Sequence, residues 1–375
     1  MRIVACAVAA LTLAACATTP VPVARPLNAE QIATMGPTAV AITENNNGVA
    51  KSWLRQDSSA AGASQGVLGV LVAAAMDGIM NYVPGRRAGR QANELAEAMP
   101  VATLNTSIAD HFRRQIVAAP PAGTVSVAEV STVQKLTTPA PIEDVVEVTA
   151  NYRMSEDSST LQVEVTLRYQ NAAIPYVTPY TFEGSPPSEE VTGPTYRNTF
   201  TYFSQQLPVP VLTPELKERL VASVMENARD DVGALPAEDS DAFKAMTRDL
   251  ELARDDTLNG AEISVFLTRE WTRDNGALLL AEIENAHALA ARYALLDLNR
   301  TAVPSLTGAD EVVETLPNGR VVRRIGSGLM AGSYVSGPSN VTSFTSYGNT
   351  ISIGEVHQTR IEAIRAAARN RPRAR

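Results

Sequence analysis

An α+β fold is predicted, an antiparallel β-sheet with several packed helices, because one chain carries two different periodicities. Val146, Val148, Ala150 and Tyr152 alternate with Glu147, Thr149 and Asn151. Leu161, Val163, Val165, Leu167 and Tyr169 alternate in the same way with Gln162, Glu164, Thr166 and Arg168. A period of two gives each strand one buried and one wet face, and the polar turn Ser155-Glu156-Asp157-Ser158 between them makes an antiparallel hairpin. From Gly276 to Leu298 the period is helical, with Leu279, Ile283, Ala286, Ala290, Tyr293 and Leu296 on one face.

The remaining elements follow in order. Residues 16–65 are rich in Ala, Pro, Thr, Ser and Asn and read as a flexible tether, with Ala29 to Met35 and Val49 to Arg55 as short helices, the second burying Trp53. Gly66 to Met76 is the most apolar run after the N-terminus and ends at Asp77, too short for a transmembrane helix. Its small residues Gly66, Gly69 and Ala73 lie at helical spacing, which suits either a core helix or a self-association face. Helical patterning continues over Ala88 to Met99 and Leu104 to Val117, punctuated by Pro84 and Pro100. A third strand is expected at Thr195 to Phe203, helices at Pro214 to Asp230 and Asp239 to Asp256, and a strand at Ile263 to Trp271. Glu311 to Thr315 and Arg320 to Ile325 form a hairpin through Leu316-Pro317-Asn318-Gly319. The domain organisation expected is a globular unit over 66–303, a β-rich Gly/Ser segment over 304–356 that belongs to it or stands beside it, and a basic tail over 357–375. That tail holds six arginines from Arg360 to Arg375 against the single acid Glu362.

The N-terminus carries a short apolar run, Ile3 to Ala10, behind Arg2 and ahead of Leu13-Ala14-Ala15-Cys16. Residues 1–15 resemble a lipoprotein signal peptide and Leu13, Ala14, Ala15 and Cys16 resemble a lipobox, the mark of a bacterial lipoprotein. The resemblance covers only these sixteen residues. It implies cleavage before Cys16, acylation of the Cys16 thiol and attachment to membrane lipid. Ala17 in place of Asp after the cysteine is similar to the pattern that sends Gram-negative lipoproteins to the outer membrane, facing the periplasm or the cell surface. The other cysteine, Cys6, falls inside the segment to be removed, so the mature chain would have no thiol for a disulfide or zinc site. Removing 15 of 375 residues leaves enough chain for a large core. A net charge of −8 argues against nucleic acid as a partner.

Chemical motifs are sparse. Gly62-Ala63-Ser64-Gln65-Gly66 matches the G-x-S-x-G nucleophile pattern, but the polar stretch before it makes no central strand to aim Ser64, and His287 or His357 would have to serve as base. Gly326-Ser327-Gly328 lacks phosphate-loop spacing. His111, His287 and His357 lie far apart and form no metal-binding spacing. The densest chemical signal is aromatic: eight of the nineteen aromatics fall between Tyr169 and Phe203, interleaved with prolines. Tyr169, Tyr176, Tyr180, Phe182 and Tyr196 are the candidate binding surface, because tyrosine presents a flat apolar face and a polar tip to a glycan, peptide or protein. Cross-strand packing is the competing reading of the same residues. The expected function is a non-catalytic binding, scaffolding or assembly role in the envelope, with an envelope protein or glycan as partner and no cofactor beyond the lipid on Cys16. The alternatives are a periplasmic serine hydrolase at Ser64 and self-assembly through Gly66, Gly69 and Ala73.

Overall fold

The alternating pairs form the centre of a mixed sheet. The computed structural model describes residues 24–35, 38–53, 84–118, 127–133, 144–174, 193–208, 211–230, 233–254, 260–298, 308–328, 330–338 and 349–351. Among them are ten strands: β1 Thr38–Thr43, β2 Val49–Trp53, β3 Val127–Val133, β4 Val145–Met154, β5 Leu161–Tyr169, β6 Tyr196–Phe203, β7 Glu311–Thr315, β8 Arg320–Arg324, β9 Tyr334–Pro338 and β10 Asn349–Ile351. The helices are α1 Ala29–Thr34, α2 over 84–98, α3 Val101–Ala118, α4 Pro214–Ala228, α5 Asp241–Arg254 and α6 Gly260–Leu298. The fold is α+β, as the two periodicities predict.

Strands β4, β5 and β6 are antiparallel neighbours, with Val146 opposite Tyr169 and Met154 opposite Leu161. Val146, Val148, Ala150 and Tyr152 are buried, as are Leu161 to Tyr169 at every second position. The C-terminal β region belongs to the same sheet: β9 runs parallel to β6, β8 pairs antiparallel with β9, and β7 with β8. The sheet is therefore mixed, not purely antiparallel. Its other parallel contacts are made by β1 and β2 on β4 and by β3 on β1. Parallel pairing needs a long crossover, and α2 and α3 lie in the connection between β2 and β3.

The reading of residues 16–65 as a tether is overturned over 24–53. Val40, Ile42 and Val49 are fully buried, and Trp53 is buried in a strand instead of a helix. The stretch looked linker-like because its strands mix Ala, Thr, Ser and Lys among their apolar residues, and because Glu44-Asn45-Asn46-Asn47-Gly48 interrupts them. That interruption is a bulge held by one side chain. Asn45 Oδ1 accepts from the backbone N–H groups of Asn47 and Gly48, Asn45 Nδ2 donates to Ala150 O at 2.7 Å, and Asn105 on α3 bonds Asn45's backbone from above. Helix α1 forms where expected, with a capping box between Asn28 and Gln31. Ahead of it, Arg25 exchanges two backbone hydrogen bonds with Arg197 at the edge of β6, and Ala24 and Leu27 are buried.

Ile263 to Trp271 is helical, not a strand. Its short apolar run Val265-Phe266-Leu267 resembles a strand, but the buried set is Ser264, Leu267, Thr268 and Trp271, a helical stripe in which two members are polar. Asp274, Asn275 and Gly276 then take left-handed backbone conformations and split α6 into two arms. Gly276 fits there because a Cβ would meet Ala98 O at 3.0 Å, on the end of α2. The second arm lays Leu279, Ile283, Ala286, Ala290 and Tyr293 into the core with α3 and the sheet. Leu296, expected on that face, is 56% exposed, because Asp297 occupies the next inward position. Helix α4 opens on Thr213 as N-cap with Pro214 in the first turn, and its Leu216 and Leu220 join Ala253 and Phe266 in a small second cluster.

Candidate functional site

The polar groups of the described residues concentrate where the helices meet the sheet. One network runs from the core to the surface between β4, α3 and the second arm of α6. Tyr152 OH donates to His287 Nε2 at 2.7 Å, His287 Nδ1 meets Ser107 Oγ at 2.8 Å, and Ser107 Oγ donates to Glu284 Oε1 at 2.5 Å. His111 Nε2 closes on the other Glu284 oxygen at 2.6 Å. The direction follows from Ser107: its hydroxyl proton goes to Glu284, so it accepts from Nδ1–H, and the neutral ring then takes the Tyr152 proton at Nε2. Ser107 and His111 are four residues apart on α3, and Glu284 and His287 three apart on α6, so each helix presents its pair on one face.

Electrostatics agrees with that geometry. Burial lowers the His287 pKa to about 3, with His111 nearby acting in the same direction, so the ring is neutral. Glu284 is held below its ordinary range by the hydrogen bonds from Ser107 and His111, against a desolvation cost. In a Ser–His pair the imidazole takes the serine proton; here the Ser107 proton goes to a carboxylate, and both His287 nitrogens are engaged. The same engagement removes His287 as a base for Ser64. Ser64 and His357 lie outside the described residues.

A second network surrounds Lys51, only 1% exposed on β2. Its Nζ donates to Ser155 O and to Glu156 O in the β4–β5 turn. Desolvation lowers its pKa to about 7, opposed by the charges of Asp157 and Glu156. The same turn is gripped by α6, through Ser264 Oγ to Glu156 O and Trp271 Nε1 to Ser158 O, and Gln91 of α2 reaches Ser264. A third network centres on Asp297, buried beneath β6 and β9. Tyr196 OH, Asn198 Nδ2 and Tyr334 OH all donate to its carboxylate, at 2.9, 2.5 and 2.9 Å. Burial raises its pKa despite those three donors.

The aromatic surface is corrected by these contacts. Tyr169 and Tyr196 are 2% and 0% exposed, so neither offers a face to a ligand. Phe200 stacks on Tyr293 at 6.1 Å, and Tyr202 donates to Glu282 with the Arg320 guanidinium 4.1 Å above its ring. Packing claims these residues, since their inward positions on β5 and β6 face α6. Tyr176, Tyr180 and Phe182 lie outside the described residues, as do Leu13, Ala14, Ala15 and Cys16 and the self-association candidates Gly66, Gly69 and Ala73.

Sequence reading missed Ser107, Glu284, Lys51 and Asp297. The signal for the first two was the pairing of histidine and hydroxyl or carboxyl at helical spacing, and for Lys51 a cation inside a short apolar strand. Among the described residues no three His, Cys, Asp or Glu side chains converge as a metal site, and no helix is long and apolar enough to cross a membrane. A pocket of about 210 Å³ lies between α4 and the first arm of α6, with Leu216, Leu220 and Phe266 in its wall and Arg219, Arg269 and Arg273 around it. No protein-family model, curated protein or solved structure matches this chain.

Proposed function

We propose that the chain is an envelope lipoprotein, anchored at the periplasmic face of the outer membrane by acylated Cys16, and that it acts by binding and scaffolding an envelope protein or glycan. The observation that carries the reading is Leu13-Ala14-Ala15-Cys16 behind the short apolar run. Docking of the N-terminal segment would set the reach of such an anchor. Ala24 is already buried eight residues past Cys16, and eight extended residues span at most about 28 Å. The acyl group would thus hold the sheet close to the bilayer, not at the end of a fifty-residue leash.

In-cell crosslinking of the chain beside a Cys16→Ala control tests the binding role. A specific envelope protein or glycan captured with the chain and lost in the control is the expected result. Recovery of the chain alone, from cells in which Cys16 is acylated, would contradict a scaffolding role.

A further inference from the structure

Helix α4 and the first arm of α6 face each other without closing. Leu216 and Leu220 lie one turn apart on α4 and are buried, and half-buried Val265 and Phe266 stand across from them on α6. Packed helices leave few voids larger than a water molecule, yet a cleft of about 210 Å³ remains here. At roughly 30 Å³ for each water-sized group it has room for about seven. That is too few for a drug-sized ligand, whose pockets run from about 300 Å³ upward. The cluster beneath is small, with Leu216, Leu220 and Ala253 as its buried members, and units so sparsely packed open at low cost. The mouth is basic. Arg219 of α4 and Arg269 and Arg273 of α6 line it against the single acid Glu270, a net charge of +2. Glu270 accepts from Arg273, Arg219 lies near Glu215, and Arg269 lies near Glu94 of α2. Those last two acids are not in the lining. Pairing does not exhaust the arginines, because a guanidinium carries five N–H donors and a bidentate carboxylate takes two of them.

We propose that this cleft binds a small amphiphilic anion, an aliphatic carboxylate of about eight carbons. Its chain lies against Leu216, Leu220 and Phe266, and its carboxylate sits at Arg219, Arg269 and Arg273. The two parts of the cleft act on different parts of the ligand. The wall rewards each methylene taken out of water until the space is full, and the planar guanidinium fork matches a carboxylate in shape and charge. A head without a chain has nothing to bury, and a chain without a head leaves the basic mouth unmatched. The site is separate from any envelope partner of the scaffold and does not depend on acylation of Cys16.

The test is isothermal titration of octanoate into the purified Cys16→Ala chain, which carries no acyl group to compete for the cleft. Saturable binding at or below about 1 mM is expected for so small a ligand. Octanol, with the chain but not the charge, and acetate, with the charge but not the chain, should each bind at least about tenfold more weakly. Arg219→Gln should weaken octanoate binding about tenfold. Arg219 is exposed, so this variant should keep its melting temperature and report on the site and not on the fold. Val265→Phe, which fills the cleft from its half-buried wall, should abolish binding. Arg248→Gln, the same charge change on the exposed face of α5, should leave it unchanged. Absence of saturation by octanoate, octanol binding as tightly as octanoate, or indifference to both Arg219→Gln and Val265→Phe overturns the proposal. Acetate binding as tightly as octanoate also overturns it, assigning the arginines to a free anion.

Discussion

His287 and Lys51 make the stability of this protein depend on pH in opposite parts of the scale. His287 is neutral when folded, with its pKa lowered from 6.5 to about 3, so the unfolded chain binds the extra proton between those values. Its contribution is therefore complete above pH 6.5 and is lost as pH falls toward 3. Lys51 is lowered from 10.5 to about 7, so between those values the unfolded chain again holds the extra proton, and stability rises with pH from 7 toward 10.5. Denaturant melts of the Lys51→Met variant should lose that alkaline rise; an unchanged slope would remove Lys51 as its source. Tyr152→Phe should cost about 1–3 kcal/mol, because it strands the buried Nε2 of His287 without its donor. None of these residues was legible as a group in the sequence: Tyr152 and His287 are 135 positions apart and meet only through the packing of α6 on β4.

At the scale of elements, legibility followed how faithfully hydropathy reported burial. The hairpin β4–β5 could be read because its buried residues are apolar and its wet ones polar. The first arm of α6 was misread because Ser264 and Thr268 are buried, and they are buried because Ser158 and Gln91 bond them. Strands β1 and β2 were missed because Asn45 hides a bulge inside what looks like a loop. Asn45→Ala leaves two backbone N–H groups and Ala150 O without their partner. It should cost roughly 2 kcal/mol in a melt, whereas a mere linker residue would cost nothing measurable. Gly276→Ala places a side chain at φ +72° and 3.0 Å from Ala98 O. A loss of about 1–3 kcal/mol is expected, and an unchanged melting temperature would mean that the joint between the arms of α6 tolerates rearrangement.

For the whole molecule, the N-terminal segment is part of the fold. Leu27 is 1% exposed and Arg25 extends the edge of β6. Deleting residues 17–28 should lower stability by at least the roughly 2 kcal/mol of one buried leucine; a melt identical to that of the intact chain would restore the tether. The fold class was legible, since two periodicities in one chain leave few alternatives. Parallel pairing of β1 and β2 with β4 was not, because contacts between residues a hundred positions apart leave no local pattern. The candidate site among the described residues was not legible, because Tyr152, Ser107, Glu284 and His287 come together only through the packing of α3 and α6 on β4.

The account turns on Cys16, and the intact mass of the chain extracted from the membranes of its own cells tests it most directly. A mass equal to residues 16–375 plus diacylglyceryl or a further acyl chain is predicted. A chain beginning at another residue, or one beginning at Cys16 with a free thiol, would contradict it.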